Sequence, residues 1–565
     1  MVEFLDRRFR RYQSPVRIVA ACGAVNPAAL LARAGLQPST QARTGTCLPP
    51  GGTLLLDYGC EYFGGVRLVT GYTGSDFQHE APYRIRLTLG ESVSEALGTP
   101  DNQHAIHDFT AVALPPMGRA EFGQSAFRFV RLENLESERP FELLEASLVA
   151  TGLDLEHRGR FESDDPRLND IWRAAGRTVH LCMQEKLWDG AKRDQLVWMG
   201  DMHPELMAIA AIFGKVPVVE ESMDCVRDET PLPEFMNRMP GYSLCWVLCQ
   251  YDWFRHYGDR EYLEKQQSYL NGLLDLFCRK VEDREARFIE HNTFIDWAHA
   301  EEYDMTAGGF HALMVRGLAT GRELALILEE AALSGRLERA LARLRQWPVT
   351  CGAAKSVCAA RVLAGLEEPR AANANKLSRE PLRGMSPFHG LNLLEARALA
   401  GDEPGCLALV RDYWGAMLDL GSTTFWEHFD VDWIHDGGRI DELPDPRLHD
   451  IHREYGRNCF RGWRNSLCHG WGAGVAAFMS RYILGFNIME PGCRRIEMVP
   501  HLGHLREVAG SLPTPYGDIR VRHARRPDGS VATEIDAPGE IAVAAFPARR
   551  TKFRPVSGGG PGLRT

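Results

Sequence analysis

The chain has no CxxC pair, and its 14 cysteines fall at irregular intervals, Cys22, Cys47, Cys60, Cys182, Cys225, Cys245 and Cys249 among them. That spacing argues against a disulfide frame or a zinc cluster, and the cysteines read as reduced, buried, small apolar residues. No stretch approaches the ~18 consecutive apolar residues a membrane span needs. The opening MVEFLDRRFRRYQSPVRIVAACGA lacks the apolar core and small-residue cleavage site of a secretory signal, so a cytoplasmic location is expected. No long run of Lys or Arg could track a phosphate backbone, and with 65 basic against 75 acidic residues the net charge is -10. Neither nucleic acid nor membrane is an expected partner. There is no GxSxG elbow and no P-loop. GWGAG lacks the preceding strand and following acid of a dinucleotide site and reads as close helix packing. His449 and His452 in LHDIHREYG have no companion ligands, so neither a metal nor a cofactor is expected.

What is present is length and a change of period. At 565 residues the chain exceeds the roughly 250–300 at which single cores stop growing, so several domains are expected. Up to about residue 155 apolar residues alternate with polar ones between Gly and Pro turns, as in TLLLDYG, VRLVTGY, YRIRLTLGE, FRFVRLENL and LLEASLVATGLDL, which predicts an all-β domain. From FESDDPRLNDIWRAAGRTVHLCMQ the apolar spacing becomes three and four, with Ser163 or Asp164 expected to cap the first helix and Pro166 in its first turn. About a dozen helical segments follow in pairs, among them PELMAIAAIF, SLCWVLCQYDWFRHYG and FHALMVRGLATGRELALILEEAALSG. Paired helices in that number predict an α/α toroid whose loops at one end form a pocket. After Phe486 short strands return (RRIEMVPHL, REVAGSLPTPYGDIRVRHARR, VATEIDAP, IAVAAFPA), predicting a small β-sandwich over 487–550 and a disordered tail over 551–565.

Chemistry concentrates in a few stretches. DGAKRDQLVWMGD, residues 189–201, places Asp189, Asp194 and Asp201 beside Lys192, Arg193 and Trp198 in a loop between two helices. Carboxylates that accept hydroxyl hydrogen bonds and move protons, a ring to cover an apolar face and a cation to set protonation are what a sugar site requires. A solvated, salt-bridged loop with its Trp plugging the core would look the same. GSTTFWEHFDVDW, residues 421–433, offers Glu427 after Trp426, and two carboxyls from distant loops are the minimum equipment for glycoside hydrolysis. NTFIDWAHAEEYD adds Asp296 and Trp297, and NSLCHGWGAG adds His469 and Trp471; each alone fits a structural role equally well.

These stretches resemble bacterial α-L-rhamnosidases of glycoside hydrolase family 78. DGAKRDQLVWMGD is similar to that family's loop signature, and TTFWE and HGW follow in the family's order. YRIRLTLGESVSEALG and PTPYGDIRVRHARRPDG look like its N- and C-terminal β-domains, so the resemblance covers roughly residues 50–550. It implies a multidomain α+β architecture, an (α/α)6 toroid catalytic domain over 159–486 flanked by β-sandwich domains over 1–158 and 487–550. It also implies an inverting exo-acting hydrolase taking rhamnosides as monomer or homodimer, with Asp194 at the position of the general acid, Glu427 at that of the general base, and Asp189, Arg193, Trp198, Asp201, Trp297 and His469 at positions that contact rhamnose. Two residues depart from the pattern. Asp194 stands where the family usually has Glu, one methylene longer, and Gln195 stands where it often has Arg. For Asp194 to serve as an acid, its carboxyl is expected to be buried against Trp198, with Asp189 and Asp201 favouring and Arg193 opposing protonation. Glu427 is expected to be held ionised by a hydroxyl or amide partner. A related hydrolase for another deoxy or pentose sugar, or a carbohydrate-binding protein with weak turnover, is the alternative.

Overall fold

The computed structural model describes residues 5–32, 35–38, 45–71, 81–99, 109–283, 295–296, 303–456 and 461–545. The tail 551–565 therefore lies outside the described residues. The order along the chain is strands, then helices, then strands. By packing, the chain divides into two units: residues 1–154, 180–196 and 416–469 form the first, and 155–179, 197–415 and 470–565 the second.

In the first unit the period-two stretches become strands β1 (Phe9–Gln13), β2 (Arg17–Cys22), β3 (Thr46–Leu48), β4 (Thr53–Thr70), β5 (Tyr83–Gly90), β6 (Phe109–Leu114), β7 (Arg119–Asn134) and β8 (Phe141–Gly152). They form one antiparallel sheet in the order β1-β8-β4-β7-β5-β6, with β2 also on β4 and β3 on β8. The alternating apolar residues bury one continuous core that includes Leu54, Leu56, Val66, Leu87, Phe127, Val130 and Leu148. Each such side chain contributes roughly 1.5–3 kcal/mol. At Gly64, φ is 149° and a Cβ would stand 1.9 Å from the Val149 carbonyl oxygen, so only glycine lets β4 and β8 close there. Helix α1 (Val93–Leu97) follows β5, with the Ser92 hydroxyl accepting from the Glu95 amide as its N-cap.

The second unit holds α2 (Pro166–Cys182, whose last residues pass into the first unit), α3 (Met199–Ile212), α4 (Pro217–Glu229), α5 (Pro240–Tyr257), α6 (Arg260–Glu282), α7 (Tyr303–Ile327), α8 (Ala331–Arg345), α9 (Lys355–Leu363) and α10 (Gly390–Leu399), with shorter helical turns after α10. The cap of α2 is neither Ser163 nor Asp164. Asp165 Oδ1 accepts the Arg167 amide at 3.0 Å, while Ser163 Oγ accepts the Asp165 amide and Asp164 is drawn to the amides of Arg506 and Glu507. The cap moved because Asp164 is used by the strand opposite.

Helices α3 and α5 are buried on nearly every side, whereas α4, α6 and α8 bury a single stripe. An element apolar all round must be enclosed by others, and one with a single apolar stripe covers it. The contacts follow suit: α3 packs on α5, α5 on α7, α7 on α8 and α9, α6 on α8, and α9 on α10. After the helices, β10 (Phe486–Glu490) and β11 (Arg495–Met498) form a three-stranded sheet completed by β15 (Ala542–Ala545), which runs parallel to β11. The hairpin β12 (Glu507–Thr514) and β13 (Gly517–Arg525) continues to β14 (Val531–Asp536) and, on its other edge, to β9 (Arg160–Ser163). The last strands of the chain thus pair with the residues that open the helical region. Among the described residues, no helix is long and apolar enough to cross a membrane.

Candidate active site

Residues 189–196 are laced into the first unit by backbone and side chain together. The Asp189 amide donates to the Leu196 carbonyl at 3.0 Å and Asp189 Oδ1 accepts the Leu196 amide at 3.2 Å, closing the loop on itself. Gly190 bridges His469, the Ala191 amide donates to the Cys468 carbonyl, and the His469 amide donates to the Phe425 carbonyl. Two segments far apart in the chain are thereby set side by side. Beneath them Ala191, Cys468, Phe63 and Ala126 form a small apolar cluster, capped by Trp188 edge-on to Phe63.

On this base the charged groups converge. Arg193, 5 % exposed in its side chain, places Nη1 3.2 Å from Asp194 Oδ1 and Nη2 against Glu427 Oε2, and its Nε donates to the Arg464 carbonyl at 2.7 Å. One guanidinium therefore touches both carboxylates. Glu427 is buried. Its Oε2 also accepts the Ser466 amide at 3.2 Å, and its own amide donates to the Ser466 carbonyl at 2.9 Å. A guanidinium and an amide favour the ionised form of a buried carboxyl.

Asp194 does not sit where the sequence reading put it. It is exposed, its side chain keeping 27 % of its area, rather than buried. Its φ of 56° and the 53° of Gln195 make two successive left-handed residues, neither of them glycine. That conformation costs roughly 1–2 kcal/mol per residue and tips the loop outward at the carboxyl. The carboxyl that burial does affect is Asp189: desolvation, opposed by His469 and reinforced by Asp194, pushes it above the ordinary carboxylate value. Its Oδ2 lies 3.6 Å from Nε2 of the equally buried His469.

Trp198 and Asp201 belong to the second unit. Trp198 is the N-cap residue of α3, half-buried, its ring edge-on to Tyr242 at 6.0 Å. Asp201, buried in the first turn of α3, accepts the Tyr242 hydroxyl at 3.0 Å. Gly200 between them permits this approach, since a Cβ there would meet the Tyr242 ring at 2.1 Å. Trp471 stacks on Phe388 at 4.5 Å and Asp296 is buried. Trp297 lies outside the described residues.

Sequence reasoning assigned no role to Tyr242, Ser466, Glu91 or Glu95. Tyr242 reads as one apolar residue of a helix, and Ser466 as an ordinary loop serine. Glu91 and Glu95 close an alternating strand and open a short helix, where acids are common. Together with His452, these two glutamates form a buried group whose geometry would admit a metal ion. The Lys192 ammonium lies against both carboxylates, so the donor set already faces a cation of the chain's own.

The fold is a mixed helix-and-sheet arrangement similar to that of glycoside hydrolase family 78 rhamnosidases. Residues 156–332 match the bacterial alpha-L-rhamnosidase 6 hairpin glycosidase domain. The family 78 rhamnosidase of Bacillus sp. GL1 superposes with a TM-score of 0.72 at 20 % identity, over 89 % of this chain and 54 % of that one. The Klebsiella oxytoca rhamnosidase with rhamnose bound gives 0.63 at 20 % identity, over 84 % and 96 %. The Streptomyces avermitilis alpha-L-rhamnosidase complexed with L-rhamnose gives 0.68 at 17 %, over 88 % and 49 %. The chain thus spans about half the length of the Bacillus and Streptomyces chains, and these likenesses are ones of fold. No curated protein matched.

Proposed function

We propose that this protein is an exo-acting glycoside hydrolase that releases terminal α-L-rhamnose with inversion of configuration. Asp194 is the general acid, Glu427 the general base, and no metal or cofactor takes part. The observation that carries the reading is the Arg193 guanidinium shared by Asp194 and Glu427. Inverting hydrolases hold acid and base about 6.5–9.5 Å apart so that one water fits before the base. One guanidinium in contact with both carboxyls keeps them apart on either side of it, as that mechanism needs.

In this reaction the Asp194 carboxyl gives its proton to the glycosidic oxygen as the C1–O bond breaks. A water on the opposite face bonds to C1 and loses a proton to Glu427. The products are the β-anomer of rhamnose and the free alcohol of the aglycone, and both carboxyls exchange protons with solvent to reset. The buried, doubly held Glu427 suits a base that must stay ionised. The exposed Asp194 can reach a leaving group at the mouth of a site, but the burial expected to protonate it is absent and Arg193 opposes protonation.

Asp189, Arg193, Trp198, Asp201, Trp297 and His469 are assigned to the sugar through the resemblance to family 78. Carboxylates take the hydroxyls, and rings wall the methyl of a 6-deoxy sugar; mannose, with a hydroxyl there, would leave a polar group unpaired. The alternation of enclosed and one-striped helices from α3 to α8 favours an (α/α)6 toroid over 159–486; β-sandwich domains over 1–158 and 487–550 are assigned through the resemblance to family 78.

The test is an aryl α-L-rhamnoside with the product anomer followed by NMR. The expected result is β-rhamnose as first product. Retention of configuration would overturn the two-carboxylate reaction. Binding of rhamnose without turnover would favour a carbohydrate-binding protein, and turnover confined to another deoxy or pentose glycoside would favour a different substrate on the same site.

A further inference from the structure

Lys192 is the most deeply buried cation of the loop, with no exposed side-chain area, as are its partners Glu91 and Glu95. Its Nζ contacts Glu95 Oε1 and the Trp463 carbonyl and lies 3.4 Å from Glu91 Oε2. The next residue, Arg193, donates through Nε to the next carbonyl, that of Arg464. Two consecutive cations thus grip two consecutive carbonyls and fix the register of one loop on the other. Two residues further on stands Ser466, whose amide and carbonyl both bond Glu427. Glu91 holds that stretch from the other side: Oε2 accepts the Leu467 amide at 2.7 Å and Oε1 accepts the Ser466 hydroxyl at 3.3 Å.

We propose that Lys192 and Glu91 are positioning residues for Glu427, acting through residues 463–467. The proposal rests on the reading of Glu427 as the base. A buried ammonium and carboxylate gain little net stability over apolar side chains of the same volume, so their use here is geometric. Lys192 keeps Glu91 ionised and aimed, and Glu91 keeps the Ser466 amide on Glu427. Among the described residues, the charged groups facing Glu427 include Arg193 and, across it, Asp194. Those facing Lys192 and Glu91 include Glu95 and Glu61, with Arg128 acting on Glu61 and His452 3.9 Å from Glu95.

The experiment uses the full chain and the variants Lys192→Met, Glu91→Gln and Ser466→Ala, each read by the pH profile of kcat/KM on an aryl α-L-rhamnoside, by thermal unfolding and by amide hydrogen exchange. A carboxylate that loses a donor is protonated more easily, so the acid limb of the profile is expected to move to higher pH. For Glu91→Gln, kcat/KM is expected to fall about 10- to 100-fold, as for other supports one step removed from the chemistry, mostly in kcat. Ser466→Ala, which removes one hydroxyl donor to Glu91 and leaves Lys192 and the Leu467 amide on that carboxylate, should cost about fivefold. Exchange should quicken over 425–429 and 462–468 and nowhere else. A purely structural role would lower the melting temperature while leaving the acid limb in place, and that result in Glu91→Gln and Ser466→Ala overturns the proposal. A parent without turnover overturns the reading of Glu427 as a base. The exchange data alone then decide the clamp: unchanged exchange over those two segments refutes it, and faster exchange confined to them supports it.

Discussion

The loop at 189–196 and the helices from α3 to α10 both have to bury side chains, and they do so by opposite means. The helices bury Trp246, Trp253, Leu270, Phe277, Phe310 and Leu337 and rely on shape. The loop buries Asp189, Lys192 and Arg193, so each charge needs a partner with the right direction as well as the right volume. Apolar packing tolerates exchange of one hydrophobe for another at modest cost. A buried polar network fails as a unit when one member is removed, because the others are left uncompensated. The helical region is therefore expected to be robust in function and graded in stability, and the loop brittle in function.

The sharpest way to break that contrast is at the two carboxylates. Asp194→Asn and Glu427→Gln should each lower kcat/KM on an aryl α-L-rhamnoside by about 10²–10⁴-fold, the exposed Asp194 with little change in melting temperature and the buried Glu427 with a clear loss, since Arg193 is left uncompensated; retention of parental activity by either removes it from the mechanism. Next in size is the opposite case, a large ring in the helices. Trp246→Ala should cost roughly 3–5 kcal/mol in denaturant unfolding, while the remaining folded molecules keep the parental acid limb. A changed acid limb would mean that the helices set the chemistry too.

A smaller effect separates the loop's own acids. The folded protein holds a proton on Asp189 more tightly than the unfolded chain does. The stability this contributes is complete below the ordinary carboxylate value of 3.8 and is lost as pH rises through the higher folded value. Asp189→Asn should therefore melt a few degrees above the parent at neutral pH, with the difference vanishing in acid. A difference that grows in acid would reverse the assignment. The smallest effect concerns backbone: Gln195→Gly relieves a left-handed residue and should stabilise by about 0.5–1 kcal/mol, whereas a loss of stability would show that the Gln195 side chain matters more than its φ.

Much of this was legible in the residues. Alternation over TLLLDYG and YRIRLTLGE appears as β4 and β5, and the three-and-four spacing after Pro166 as helices. Asp189, Arg193, Asp194, Glu427 and His469 were singled out by residue type and motif order, and all five fall in one packing unit. The cap of α2 was misplaced by one residue because Asp164 had a distant use, and Asp194 was expected to be buried although its backbone turns it outward. Neither fact leaves a local trace. The partners of Glu427 were invisible for the same reason: Ser466 and Glu91 have no unusual neighbours in sequence.

By itself, then, the sequence determined where strands give way to helices and which side chains could carry proton transfer, because period and residue type are local properties. Which carboxyl is buried and which is open to solvent, and that a lysine beside the motif grips the loop behind Glu427, were decided only when segments more than two hundred residues apart came into contact. Desolvation and charge pairing depend on everything within a few ångströms, and that neighbourhood is set by the fold.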